Sequence, residues 1–84
     1  MKVTIKYFSW IRVKMQKSHE LFDFSDEINF SKLKNELINQ NSFFDEIFKN
    51  SSIKYFHNLK EITDENIPIN DGDEIALLPP VTGG

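Results

Sequence analysis

The 84-residue chain has no cysteine, which excludes disulfides, thiolate metal sites and a side-chain sulfur nucleophile together. It also lacks a long apolar run. Met1 to Tyr7 is a charged, alternating stretch, so neither a signal peptide nor a membrane span is expected, and a cytoplasmic location is the default. Positive charge is scarce beyond the opening segment: Lys2, Lys6, Arg12, Lys14 and Lys17 precede the first acid, Glu20, and acids dominate afterwards. That asymmetry fits either a solvated basic strand and loop or a partner surface. Nucleic-acid binding is not expected, because the chain is acidic overall and no basic cluster is interleaved with stacking aromatics. The two histidines, His19 and His57, stand far apart without ligand spacing, so no metal site is expected.

Aromatic side chains are plentiful by contrast. Eight Phe, two Tyr and one Trp supply large apolar area per residue. A domain of this size buries only about 60% of the surface its unfolded chain exposes. The aromatics therefore help a thin core to offset the conformational entropy lost on folding, and a single compact domain is expected.

Periodicity divides the chain into elements. Lys2 to Phe8 alternates, with Val3, Ile5 and Tyr7 on one face and Thr4, Lys6 and Phe8 on the other, as a strand requires. Glu20 to Phe24 reads as its hairpin partner, with Ile11 to Lys17 as the connecting loop. From Phe30 the apolar residues Phe30, Leu33, Leu37 and Ile38 recur at helical spacing behind a candidate N-cap, Asn29. Ser42 and Asp45 have the spacing of a capping box for a second, short helix carrying Phe43, Phe44, Ile47 and Phe48. Ile53 to Phe56 reads as a short strand, and Ile62 to Ile69 as an irregular stretch in which Pro68 prevents a central-strand role. Asn70-Asp71-Gly72-Asp73 is a turn that launches a last strand, Glu74 to Leu78. This order predicts an α+β domain with one main helix and a second short helix on one face of a mixed sheet, for which the β-grasp, or ubiquitin-like, fold is the economical match.

The last residues, Pro79-Pro80-Val81-Thr82-Gly83-Gly84, form a different kind of segment. Two prolines end the strand ladder and favour an extended exit. Two glycines remove every side chain beyond Thr82, so a partner can enclose the final peptide units in a narrow channel. Residues 1–78 are thus expected to form the domain and 79–84 an extended tail.

The segment DGDEIALLPPVTGG resembles the C-terminal signature of the molybdopterin synthase small subunit, the MoaD family of ubiquitin-like sulfur carriers. The opening KVTIKYFSWIR is similar to that family's first strand and following Arg, and Asn29-Phe30 with Leu33 and Leu37 to its helix opening. The resemblance implies a sulfur carrier that is no enzyme on its own. An E1-like adenylyltransferase, using ATP, would join the Gly84 carboxylate to AMP, and sulfur from a persulfide donor would leave a terminal thiocarboxylate. The tail would then enter the large synthase subunit, where the thiocarboxylate would attack cyclic pyranopterin monophosphate, and two deliveries would build the dithiolene that holds molybdenum. The resemblance implies a heterotetramer of two carriers and two large subunits, with the catalytic side chains in the large subunit and no cofactor bound to this chain. By position, Gly84 matches the sulfur-bearing terminus, and Gly83, Thr82, Val81, Pro80 and Pro79 match the inserted tail. Leu78, Phe8 and Arg12 match positions at the partner interface; alternation alone leaves Leu78 free to be core instead.

Two segments depart from the family pattern. Arg12 is followed by Val13-Lys14-Met15 where the family shows Arg-Glu-Leu, and Phe56-His57-Asn58-Leu59-Lys60 replaces a Val-Asn-Gly turn. The same Gly-Gly chemistry also fits a carrier for thiamin or tRNA thiolation, or a ubiquitin-like modifier joined to lysines. A plain interaction module with an inert tail is the remaining alternative. Pro79-Pro80-Val81-Thr82 favours molybdopterin.

Overall fold

The computed structural model of the chain describes residues 1–80. The opening alternation forms β1 (Lys2–Tyr7), whose Val3, Ile5 and Tyr7 are buried while Thr4 and Lys6 face outward. The expected loop after it is instead a two-turn helix, α1 (Ser9–Met15). Ile11 is the reason. Its fully buried side chain anchors the segment to the core, and Met15, one turn later, packs partly against the same cluster. The Phe8 carbonyl accepts the amides of Ile11 and Arg12, and Gln16, in the left-handed region, closes the far end on the Arg12 carbonyl. With no polar N-cap side chain and only one buried residue, the helix has no start signal or period to read. The described residues therefore form three helices rather than two.

Next comes β2 (His19–Asp23), antiparallel to β1 with Val3 opposite Phe22 and Ile5 opposite Glu20. A two-residue strand, β3 (Ile28–Asn29), leads into α2 (Phe30–Gln40), where Asn29 caps as expected: its Oδ1 accepts the Lys32 amide at 2.8 Å. The second expected cap does not form. In α3 (Phe43–Lys49) Ser42 is itself helical in φ and ψ and its side chain makes no capping bond; Asn41 Oδ1 takes the Phe43 amide instead, at 3.0 Å. A capping box needs an extended residue at the cap, and the short α2–α3 connection does not allow one there.

The remaining strands are β4 (Lys54–His57), β5 (Lys60–Glu61), β6 (Pro68–Ile69) and β7 (Glu74–Leu78). β7 lies at the centre of a five-stranded sheet ordered β2-β1-β7-β4-β5, parallel to β1 and antiparallel to β4. β3 and β6 form a separate two-stranded pair, which is where Pro68 is tolerated. The turn before β7 forms as expected. Gly72 has φ of 86°, the Asp73 amide donates to the Asn70 carbonyl at 3.1 Å, and the Gly72 amide donates to the Lys2 carbonyl at 2.7 Å.

Helices α2 and α3 cover one face of the sheet. Phe30, Leu33 and Leu37 of α2, with Phe44 and Ile47 of α3, meet Val3, Ile5, Tyr7, Ile75 and Leu77, all essentially without solvent exposure. Phe44 is central to this layer: its ring centroid lies 6.2 Å from Tyr7, 6.0 Å from Phe22 and 5.9 Å from Phe48. Tyr7 brings its hydroxyl to Glu20 Oε1 at 2.9 Å, and burial, then that bond and charge, push its pKa well up. The phenol stays neutral, so the core carries no ionised group at that position. Truncating Phe44 to Ala should destabilise the fold by about 3–5 kcal/mol. A denaturant titration checks this, with a lowered midpoint at unchanged slope as the expected outcome.

Candidate functional site

The two-residue period of β7 sorts its side chains. Ile75 and Leu77 enter the core, whereas Ala76 and Leu78 face away from the helices and remain partly exposed. Register then assembles the outer face. Ala76 lies opposite Phe56 of β4, and Lys6 of β1 stands beside Ala76, so one side chain from each neighbouring strand joins the same surface. Phe8, just past β1, adds its ring at 42% exposure. Together with Leu59, these residues line an apolar depression of about 240 Å³, with Lys6 and Glu74 at its rim. The two rim charges pair at 3.3 Å while both half-exposed, an arrangement that guides orientation more than it adds affinity.

Leu78 and Phe8, singled out from the sequence, are thus brought together. Arg12 is placed differently. It is exposed on α1 and lines a neighbouring depression with Lys6, Tyr7, Phe8, Ser18 and His19, so only Phe8 and Lys6 are shared between the two surfaces. Beyond Leu78, Pro79 is buried and Pro80 exposed. Val81, Thr82, Gly83 and Gly84, expected to carry the chemistry, lie outside the described residues.

Phe56 and Leu59 were not foreseen as surface residues. Leu59 sits in the two-residue loop of the β4–β5 hairpin, whose flanking His57 and Lys60 are paired. Asn58 and Leu59 both have positive φ, 49° and 74°, the pattern of a type I′ turn that ordinarily takes Asn-Gly. Holding Leu there costs about 1–2 kcal/mol, yet its side chain is 91% exposed and gains no core contact. A large apolar residue where a turn glycine belongs was the available signal in the sequence.

On the inner side the same turn is tied to the start of β7. Asp73, 9% exposed, accepts three bonds: His57 Nε2 lies 2.6 Å from its Oδ2, the Asn70 amide donates to Oδ2 at 2.8 Å, and Asn58 Nδ2 donates to Oδ1 at 3.1 Å. Asn58 Oδ1 in turn accepts the Glu74 amide at 2.8 Å. Burial raises the Asp73 pKa, but the bonds from His57, Asn70 and Asn58 outweigh it and leave the carboxyl below its ordinary value.

Chemically, the outer face can bind but brings no nucleophile to the depression. Among the described residues no three His, Asp or Glu side chains converge as a metal site, and no helix is long and apolar enough to cross a membrane.

Comparison with known proteins places this geometry. The profile of the ThiS family matches residues 5–84. No curated protein matches the sequence significantly. Among solved structures, SAMP1, a small archaeal modifier protein from Haloferax volcanii, superposes with a TM-score of 0.83 at 19% identity, covering 100% of both chains. A putative molybdopterin converting factor subunit 1 from Pyrococcus furiosus gives 0.79 at 21% identity, covering 96% of this chain and 99% of that one. A complex of subunits 1 and 2 of molybdopterin-converting factor from Helicobacter pylori contains a chain at 0.70 and 24% identity, with 100% of each covered. At these identities the likeness speaks to fold, and the fold is the ubiquitin-like β-grasp.

The turn gives a direct prediction. Leu59→Gly should raise the free energy of unfolding by about 0.5–1 kcal/mol, because glycine adopts positive φ without the Cβ penalty. Thermal denaturation checks it; a residue placed there for stability would show the opposite sign.

Proposed function

Because the chain belongs to the ThiS family of ubiquitin-like sulfur carriers, we propose that it serves as the small subunit of a molybdopterin synthase, carrying sulfur as a thiocarboxylate on Gly84. The observation that carries this reading is the continuity of β7. The strand that presents Ala76 and Leu78 on the apolar outer face is followed directly in sequence by Pro79-Pro80 and, within the next four residues, by Gly83-Gly84. A partner that covers the outer face therefore receives the tail at the same time. The Helicobacter pylori structure is a complex of subunit 1 with subunit 2 of such a factor, which supports a larger partner here too.

The chemistry starts from a weak electrophile. A free carboxylate resists acyl substitution, so an E1-like adenylyltransferase first transfers AMP from ATP to the Gly84 carboxylate and releases pyrophosphate. A persulfide then displaces AMP, and a second thiol cleaves the resulting acyl disulfide to leave the thiocarboxylate. In the large subunit this sulfur attacks cyclic pyranopterin monophosphate, with general acids and bases drawn from that partner. The small subunit contributes position: the outer face fixes where the tail begins, and the two glycines let it thread without a Cβ collision. This chain needs no bound cofactor for that role, since ATP is consumed on the activating enzyme.

Two outcomes are expected. Deleting Gly84 leaves the far-ultraviolet spectrum and melting temperature unchanged but abolishes dithiolene formation in a reconstituted synthase assay, because glycine has no side chain to bury; undiminished product would contradict the reading. Leu78→Asp places a charge in the apolar depression and should weaken co-elution with the large subunit by about tenfold or more, since an unpaired charge must be desolvated on docking. Should the protein instead appear on immunoblots as high-mass lysine conjugates with no synthase activity, the modifier role would replace the carrier role.

A further inference from the structure

The β4–β5 turn has one face in each of two worlds. Leu59 projects onto the outer, apolar surface, whereas His57 and Asp73 meet on the helix-covered side of the sheet. His57 stands opposite Ile75, a fully buried residue of β7, so its ring has the inward orientation of that register position. From there Nε2 reaches Asp73 Oδ2 at 2.6 Å, the closest side-chain contact that carboxylate makes. The second oxygen is thereby aimed at Asn58 Nδ2, and Asn58 closes the ring by taking the Glu74 amide and donating its own amide to the Glu74 carbonyl at 2.9 Å. The backbone of a left-handed Asn58-Leu59 pair is thus held from below by a polar latch.

Such a latch answers an energetic problem. Leu59 is held in a costly conformation by nothing it touches itself, since its side chain is almost wholly exposed. The conformation persists only if neighbouring bonds over-determine it. We propose that His57 is a positioning residue which, through Asp73 and Asn58, holds the hairpin turn so that Leu59 stands as the outer wall of the docking depression. The proposal deepens the carrier reading, in which that depression receives the larger partner. It adds that, in a turn with two positive-φ residues and no glycine, His57 supplies the missing stability from the opposite face.

The surrounding charges are few. Lys60 and Glu61 of β5 and Asp64 line the cavity that His57 also borders, Asp71 lies in the preceding turn, and Glu74 of β7 pairs outward with Lys6 of β1. None of them is bonded to the Asp73 carboxylate. Because the folded Asp73 carboxyl lies below its ordinary value of 3.8, the latch is complete above that value and is lost as pH falls through the lower folded one.

Nuclear magnetic resonance of the full chain, without any partner, tests the latch separately from the carrier reading. In His57→Phe, the ring is kept and the donor removed; amide exchange at Asn58 and Glu74 should speed up by about tenfold or more and the Leu59 methyl shifts should move, while Ile5 and Ile75 in the core stay protected. His57→Gln, whose amide nitrogen reaches as far from the backbone as the ring Nε2 and can still donate, should restore most of that protection. In the wild type, the acid midpoint of the Leu59 methyl shifts should coincide with that of the Asp73 carboxyl carbon. If the Phe variant unfolds, the Gln variant and the wild-type titration decide. Leu59 resonances indifferent to the loss of the donor and to Asp73 protonation would overturn the proposal, as would a Gln variant as disturbed as the Phe one. A latch confirmed in a protein that then fails to bind a large subunit would count against the carrier reading alone.

Discussion

The functional surface depends on one constraint, the two-residue period of a strand that is paired on both sides. β7 lies between β1 and β4, parallel to the first and antiparallel to the second, so its register is fixed from two directions. A slip of one residue would move Ile75 and Leu77 out of the core and put Ala76 and Leu78 into it. The aromatic layer around Phe44 opposes such a slip, because Leu77 and Ile75 help to fill the space beneath it. Core packing thus decides which side chains the outer face presents and where the chain leaves the sheet after β7.

Much of this was legible before the structure. Strand β1 announces itself by strict alternation of Val3, Ile5 and Tyr7, α2 by Phe30, Leu33 and Leu37 behind Asn29, and the β7 turn by Gly72 between aspartates. Each of these signals is local, so no tertiary context is needed to read it. The failures are all tertiary. Helix α1 owes its existence to the burial of Ile11 in the hydrophobic core, and Ser42 loses its cap to Asn41 because the α2–α3 connection is so short. Phe56 and Leu59 became part of the outer face only through sheet register and an unusual turn. Alternation could not choose between core and surface for Leu78; the inward choice of Ile75 and Leu77 settles the direction it faces.

Stability and function pull apart at the hairpin. A turn glycine would relieve the left-handed strain at Leu59, yet would remove a wall of the depression on which docking is proposed to depend. Proteins commonly retain such strain where a surface is used and compensate for it nearby. Here the compensation is polar and lies on the other side of the sheet, in the bonds joining His57, Asp73, Asn58 and Glu74. A domain with a thin core can hold this arrangement because its central strands are pinned by aromatic packing, not by the turn itself.

The central claim, that Gly84 carries the sulfur, comes down to one atom. Intact mass spectrometry of the full chain after incubation with an activating enzyme, ATP and a persulfide donor should show a gain of about 16 mass units, the exchange of one terminal oxygen for sulfur. Fragmentation should confine that gain to the last residue. An unchanged mass, or a gain located anywhere upstream of Gly84, would contradict the account.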